Sequence, residues 1–130
     1  MGQPAAKKGD TIRGMDMHLV KLPNGAQTMF PFVFQSTISD DVSTNVRILG
    51  APAAMKDSSG KNTPEHKLAL PPGADFVVQP NNQGTIAKGS KTVSINGRPA
   101  ARNSDTADTC RDASSAPALV VATGSVLIGG

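Results

Sequence analysis

The chain is nearly devoid of aromatic residues: of 130 residues four are Phe, none is Trp or Tyr, and aromatics make up 3%. That excludes a core built around large rings, and it removes the stacking platforms on which sugar sites and single-strand nucleic-acid grooves depend. Cysteine occurs once, at Cys110. An intrachain disulfide framework is therefore excluded, and the residue fits a reducing compartment or a thiol used as a ligand. Long apolar runs are missing as well. The run APALVVATGSVLIGG at the end of the chain is interrupted by glycine and too short to cross a bilayer as a helix. The first twenty residues carry Lys7, Lys8, Asp10, Arg13 and Asp16 with no apolar segment between them, so no secretory signal is read. Ala6 also stands where a myristoylation site needs Ser or Thr.

Charge is only mildly biased, 13 Lys+Arg against 10 Asp+Glu with a pI near 9.3. The basic residues Lys7, Lys8, Lys56, Lys67, Arg98 and Arg111 read as scattered, and the expectation is a solvated surface with no nucleic-acid partner. What is abundant is turn chemistry: 13 Gly and 10 Pro between short Val/Ile/Leu runs, without a sustained helical apolar stripe. This predicts an all-β, hairpin-rich fold, and the length fits one domain over residues 1–130.

A fragment recurs. GQPAAKKGDT starts at Gly2, GAPAAMKDSS at Gly50 and GRPAARNSDT at Gly97, so G-x-P-A-A returns at offsets of 48 and 47. In each copy Pro (Pro4, Pro52, Pro99) fixes φ, the preceding Gly allows a turn, and the Ala pair lets chains approach closely. V-x-I-x-G precedes the second and third copies, with Val46 and Ile48, or Val93 and Ile95, on one strand face. The first copy has no room for such a strand, but Val126, Ile128 and Gly130 supply the same pattern at the other end of the chain. The reading is a ring of three units around residues 2–18, 45–66 and 92–110, closed by a strand at 124–130 and tapering towards an axis.

His18 follows Pro4 by 14 residues, His66 follows Pro52 by 14, and Cys110 follows Pro99 by 11. These are both histidines and the only cysteine. Arranged round an axis, they can converge into a ligand set suited to tetrahedral zinc, a staple for a core short of large side chains. Three ligands leave one position open, and Asp16, Met17, Asp108 or a water can fill it.

INGRPAARNSDTADTC, ending at Cys110, resembles the signature of the PAAR-repeat family, the proteins that cap the spikes of contractile injection machines such as type VI secretion systems and phage-tail-like particles. The resemblance continues through KKGDT at Lys7, NVRILGAPAA from Asn45, NQGTIAKGSKTVSING from Asn82 and VLIGG from Val126. It implies a single-chain cone of short β-hairpins with pseudo-threefold symmetry, seated by its base on a trimeric spike protein. It further implies a zinc ion held near the point by histidines and one cysteine, carried over here onto His18, His66 and Cys110. The family pattern has Pro-His-Pro-Phe where this chain reads MFPF, so Phe30 occupies the position of a further histidine. The function implied is a non-enzymatic, membrane-puncturing tip that makes transient contact with the target membrane. Such a tip is assembled in the cytoplasm and exported as part of the particle. With 1–130 taken up by the repeats the expectation is a bare tip, any effector cargo binding separately.

Two segments have more than one reading. Phe30, Phe32 and Phe34 form either an exposed interaction patch or, as the alternation of FPFVF favours, one buried strand face. Residues 57–84, rich in Gly, Pro, Asn and Ser, read as a long ordered loop for lateral contacts. Cys110 with a histidine and Asp105 or Asp108 imitates a nucleophile, base and orienter, but no nucleophile elbow, phosphate loop or H-E-x-x-H accompanies it. The alternative from another class is a free-standing metal- or ligand-binding β-domain.

Overall fold

A computed structural model describes residues 2–66, 72–110 and 117–130. Its described residues form only β-strands and turns, and no helix in it is long and apolar enough to cross a membrane. The strands are β1 (Gln3–Pro4), β2 (Thr11–Lys21), β3 (Gln27–Thr37), β4 (Arg47–Ile48), β5 (Ala51–Pro52), β6 (Ser59–Lys61), β7 (Asp75–Phe76), β8 (Gln83–Ile86), β9 (Ser94–Ile95), β10 (Arg98–Pro99), β11 (Thr106–Asp108), β12 (Ala118–Val121) and β13 (Leu127–Ile128). The all-β reading of the sequence therefore holds. Lys67 and Arg111 lie outside the described residues.

Three two-stranded ribbons share one register. Ile48 pairs with Ala51 and Arg47 with Pro52; Ile95 pairs with Arg98 and Ser94 with Pro99; Ile128 pairs with Gln3 and Leu127 with Pro4. The third ribbon is built from the two ends of the chain, as the V-x-I-x-G count implied. Ile48, Ile95 and Ile128 are buried, whereas Val93 and Val126 remain 37% and 38% exposed. The strand face expected of each Val/Ile pair is thus buried at Ile and only partly covered at Val.

Behind the ribbons the Ala pairs close a ring. Ala6 N–H donates to Ala101 O (2.9 Å), Ala101 N–H to Ala54 O (3.1 Å), and Ala54 N–H to Ala6 O (3.0 Å). A second cycle runs one step out, with Lys8 N–H on Pro52 O, Lys56 N–H on Pro99 O and Asn103 N–H on Pro4 O. No side chain larger than methyl fits where three backbones meet this closely, and all six alanines are fully buried. Because neighbouring residues point to opposite sides, Ala5, Ala53 and Ala100 join Ile48, Ile95, Ile128 and Met55 in one cluster. Ala6, Ala54 and Ala101 join Ile12, Phe34, Ile38, Ile86 and Val120 in the other.

From the ring each unit sends out one strand and receives one. The sheet order β3-β2-β12-β11-β8-β6 alternates returning and outgoing strands three times. Its edges meet again through the bridges Ser36↔Asn62 and Asp40↔Ser59, so the sheet curls round the second cluster. Residues 57–84 are not the single loop expected: they hold β6, β7 and the start of β8. β6 is Ser-Gly-Lys, with no apolar alternation to betray it, and it is set by its neighbours: a Cβ on Gly60 would run into the carbonyl of Thr37.

The β2–β3 hairpin extends one unit far beyond the ring. Its eleven pairs run from Thr11↔Thr37 to Lys21↔Gln27, turning through Asn24 and Gly25, where Asn24 Oδ1 accepts the Ala26 N–H and Gly25 takes φ +89°. Ile12, Asp16, His18 and Val20 face inward from β2, and Phe34 and Ser36 from β3.

Candidate metal centre

Asp16 and His18 sit two residues apart on β2, so the pleat aims both side chains to the same interior face. Asn62 pairs with Ser36 just after β6 and carries the chain to His66; β11 leads to Thr109 and Cys110. These approaches bring Asp16, His18, His66 and Cys110 together with one donor atom of each within 4.8 Å of all the others. Asp16, His18 and His66 are 1%, 0% and 8% exposed. The three ligands expected from sequence converge, and of the open choices for the fourth it is Asp16 that completes the set. Asp108 lies on β11 and Met17 belongs to the opposite face of β2 from Asp16.

Asp16 is the hub. Its Oδ2 lies 3.0 Å from His66 Nε2 and 3.4 Å from Cys110 Sγ, and Thr109 Oγ1 donates to its Oδ1. Cys110 Sγ stands 3.8 Å from His18 Nε2. Zinc bonds of about 2.0–2.3 Å imply edges of roughly 3.3–3.8 Å between tetrahedral ligands, which these separations approach. The residues present therefore fit a tetrahedral ion held by two imidazoles, a thiolate and a carboxylate.

Phe30 is the cross-strand partner of His18, and Phe32 that of Asp16. Phe30 has no nitrogen to offer, and the carboxylate of Asp16, two pairs down the ladder on the same face, stands among the donors instead. Phe32 packs against His18 and His66 with centroids 5.4 and 5.3 Å away, and Phe76 lies 5.5 Å from His18. Phe34 is fully buried, while Phe30 and Phe32 are partly covered on the same face. Phe32, Phe34 and Phe76 wall the two imidazoles; the outward residues of β3 beside them are Pro31, Val33 and Gln35.

Around the donors lies a polar bracket invisible in the sequence. Asn62 Oδ1 accepts the Gln35 N–H (2.8 Å), so its amide nitrogen faces His66 Nδ1 (3.0 Å) and Asn82 Oδ1 (3.3 Å). Asn82 Oδ1 also accepts the His66 backbone N–H at 2.8 Å. With no ion bound, this places the imidazole proton of His66 on Nε2, pointing at Asp16. Burial, reinforced by the neighbouring Asp16 carboxylate, pushes the Cys110 thiol up to about 11. That is the reverse of an activated nucleophile, whose thiol is lowered by a cation or a helix N-terminus. A bound metal inverts this local preference and takes the thiolate.

No family model matches the chain, and a comparison with curated proteins finds no relative.

Proposed function

We propose that this chain is a PAAR-type tip: a rigid, metal-stapled cone that caps the trimeric spike of a contractile injection machine and leads it into a target membrane. The observation that carries the reading is the closed cycle of hydrogen bonds among Ala6, Ala54 and Ala101, which gives a single chain three equivalent corners. A pseudo-threefold monomer can meet a true threefold partner with nearly equivalent contacts. The end that suits docking is the ribbon end, beyond the ring from the metal ligands. There Leu49 and Leu127 are 58% and 60% exposed beside Val93 and Val126. Exposed apolar side chains at that end favour seating against another protein.

The ion is zinc on this reading, since mixed imidazole, thiolate and carboxylate donors at tetrahedral spacing suit it. Its role is structural. It ties β2 to the segments after β6 and β11, where a puncturing point would otherwise fray. Assembly in the cytoplasm and export with the particle follow from the same reading, as does transient contact with the membrane.

Co-expression with the trimeric spike of the same organism, followed by affinity purification and native mass spectrometry, tests it. One chain per spike trimer is expected. Recovery of the chain alone, holding its metal but never the spike, would favour a free-standing metal-binding β-domain.

A further inference from the structure

The three corners of the ring are alike in backbone and unlike in charge. Hydrogen bonding identifies equivalent positions: Asp40 N–H and Lys88 N–H donate to Ser59 O and Thr106 O, while Ser43 N–H and Ser90 N–H donate to Ala53 O and Ala100 O. At the third corner, Val120 repeats the bonding of Ile38 and Ile86, which makes Ala122 the counterpart of Asp40 and Lys88. Adding the position after each Ser or Thr, and the residue that follows the Ala pair by two, defines each corner. One holds Lys8, Asp40 and Thr44; the next holds Lys56, Lys88 and Lys91; the last holds Asn103, Ala122 and Gly124. Of these positions only those of the middle corner carry charge of one sign; Asp57, next to Lys56, has its carboxylate 3.9 Å from the Arg98 guanidinium.

That corner is also a groove. A cavity of about 420 Å³ is lined by Lys56, Lys88 and Lys91 with Ser90, Ser94 and Pro99. Its floor is rigid, because a Cβ on Gly89 would meet the carbonyl oxygens of Ala100 and Pro99 at 2.6 and 2.9 Å, and Ser90 is tied to Ala100 and Gly129. Among the described residues, Lys7, Arg98 and Arg102 are each neutralised by a carboxylate, but none of the three groove lysines is. Lys56, one of the basic residues that read as scattered along the chain, is brought by the fold beside Lys88 and Lys91.

We propose that this groove is a docking site for one carboxylate-rich peptide segment of a partner protein. A threefold spike presents the same surface to all three corners and cannot complement a charge found at only one, so the groove suits a partner that binds once per tip. Several carboxylates along one extended segment match three ammonium groups round one rim, and such attraction steers association as well as holding it. That the partner is a cargo carried by the tip rests on the function proposed above; the binding itself does not.

The test is a fluorescence-anisotropy titration of a labelled ten-residue polyglutamate peptide onto the full chain at low salt. Saturable binding at one peptide per chain is expected, weakening as salt is raised. Replacing Lys56, Lys88 and Lys91 together by Ala should weaken it about tenfold or more. Replacing exposed Lys8, Lys21 and Lys61 by Ala removes the same charge elsewhere and should change it by less than about twofold. All six side chains are exposed, so metal content and thermal midpoint should be unchanged in both variants. Equal losses in the two variants, no binding to the unmodified chain, or tighter binding of an oligothymidylate through the same lysines would each overturn the proposal. Spike co-purification by the groove variant separates failure of this site from failure of the tip reading.

Discussion

A buried carboxylate that accepts from a thiol, a hydroxyl and an imidazole is satisfied without a metal, so Asp16 sets the terms on which an ion enters. Binding must release the Cys110 thiol proton and shift that of His66 from Nε2 to Nδ1, and the released thiol proton makes affinity rise with pH. In metal-free protein the Cys110 thiol should alkylate slowly at neutral pH and speed up as pH climbs towards about 11. The unfolded thiol loses its proton first, near 9, so metal-free stability should fall between those two values, measurable as a drop in urea midpoint. Asn62 offers a sharper test. Its amide nitrogen faces His66 Nδ1, whereas a metal on Nε2 requires a proton there. Asn62→Asp should accept that proton and tighten zinc by about tenfold, read by competition with a chelator; unchanged or weaker zinc would refute the assigned tautomer. His18, His66 and Cys110 were legible from their spacing to the repeats. Asp16 was legible only as one of several choices, although the D-x-H pattern on a strand puts both side chains on one face. Asn62, Asn82 and Thr109 carried no signal, because their approach is fixed by pairing between distant strands.

At the level of elements, the ribbon turns differ in a telling way. Asn96 and Gly97 take φ of 51° and 80°, and Leu49 and Gly50 take 51° and 86°. Asn is tolerated in the left-handed region and Leu is not, yet Leu49 stands 58% exposed at the proposed docking end. Leu49→Asn should therefore stabilise the isolated chain by about 1 kcal/mol in denaturant melts while weakening spike co-purification. Gly60→Ala acts in the opposite sense. Its Cβ would strike the Thr37 carbonyl at the seam where β6 meets β3, and a loss of about 1–3 kcal/mol is expected from thermal unfolding. The alternation of FPFVF marked part of β3, whereas its partner β2 and the Asn24-Gly25 turn that joins them went unread. β6 was not legible, since a three-residue strand of Ser, Gly and Lys owes its conformation to what surrounds it.

The whole molecule is a repeat that closes on itself. G-x-P-A-A predicted the ring, and the ring explains part of the composition: alanines where three backbones meet and isoleucines behind them. The ends of the chain pair as β1 and β13, so joining them with a short linker and opening the chain between Leu49 and Gly50 should leave the fold intact. Circular dichroism and metal content equal to those of the parent are expected of that permutant. Charge is the property that the repeat did not foretell, since it breaks the symmetry that the backbone keeps. The claim on which the rest depends is that the three units bring their ligands to one point. Native mass spectrometry with elemental analysis, on the chain and on Cys110→Ala, tests it most directly. One zinc ion per chain, released far more readily by the variant, is the predicted result. A chain that stays metal-free in stoichiometric zinc, or holds the ion equally well without Cys110, would contradict the account.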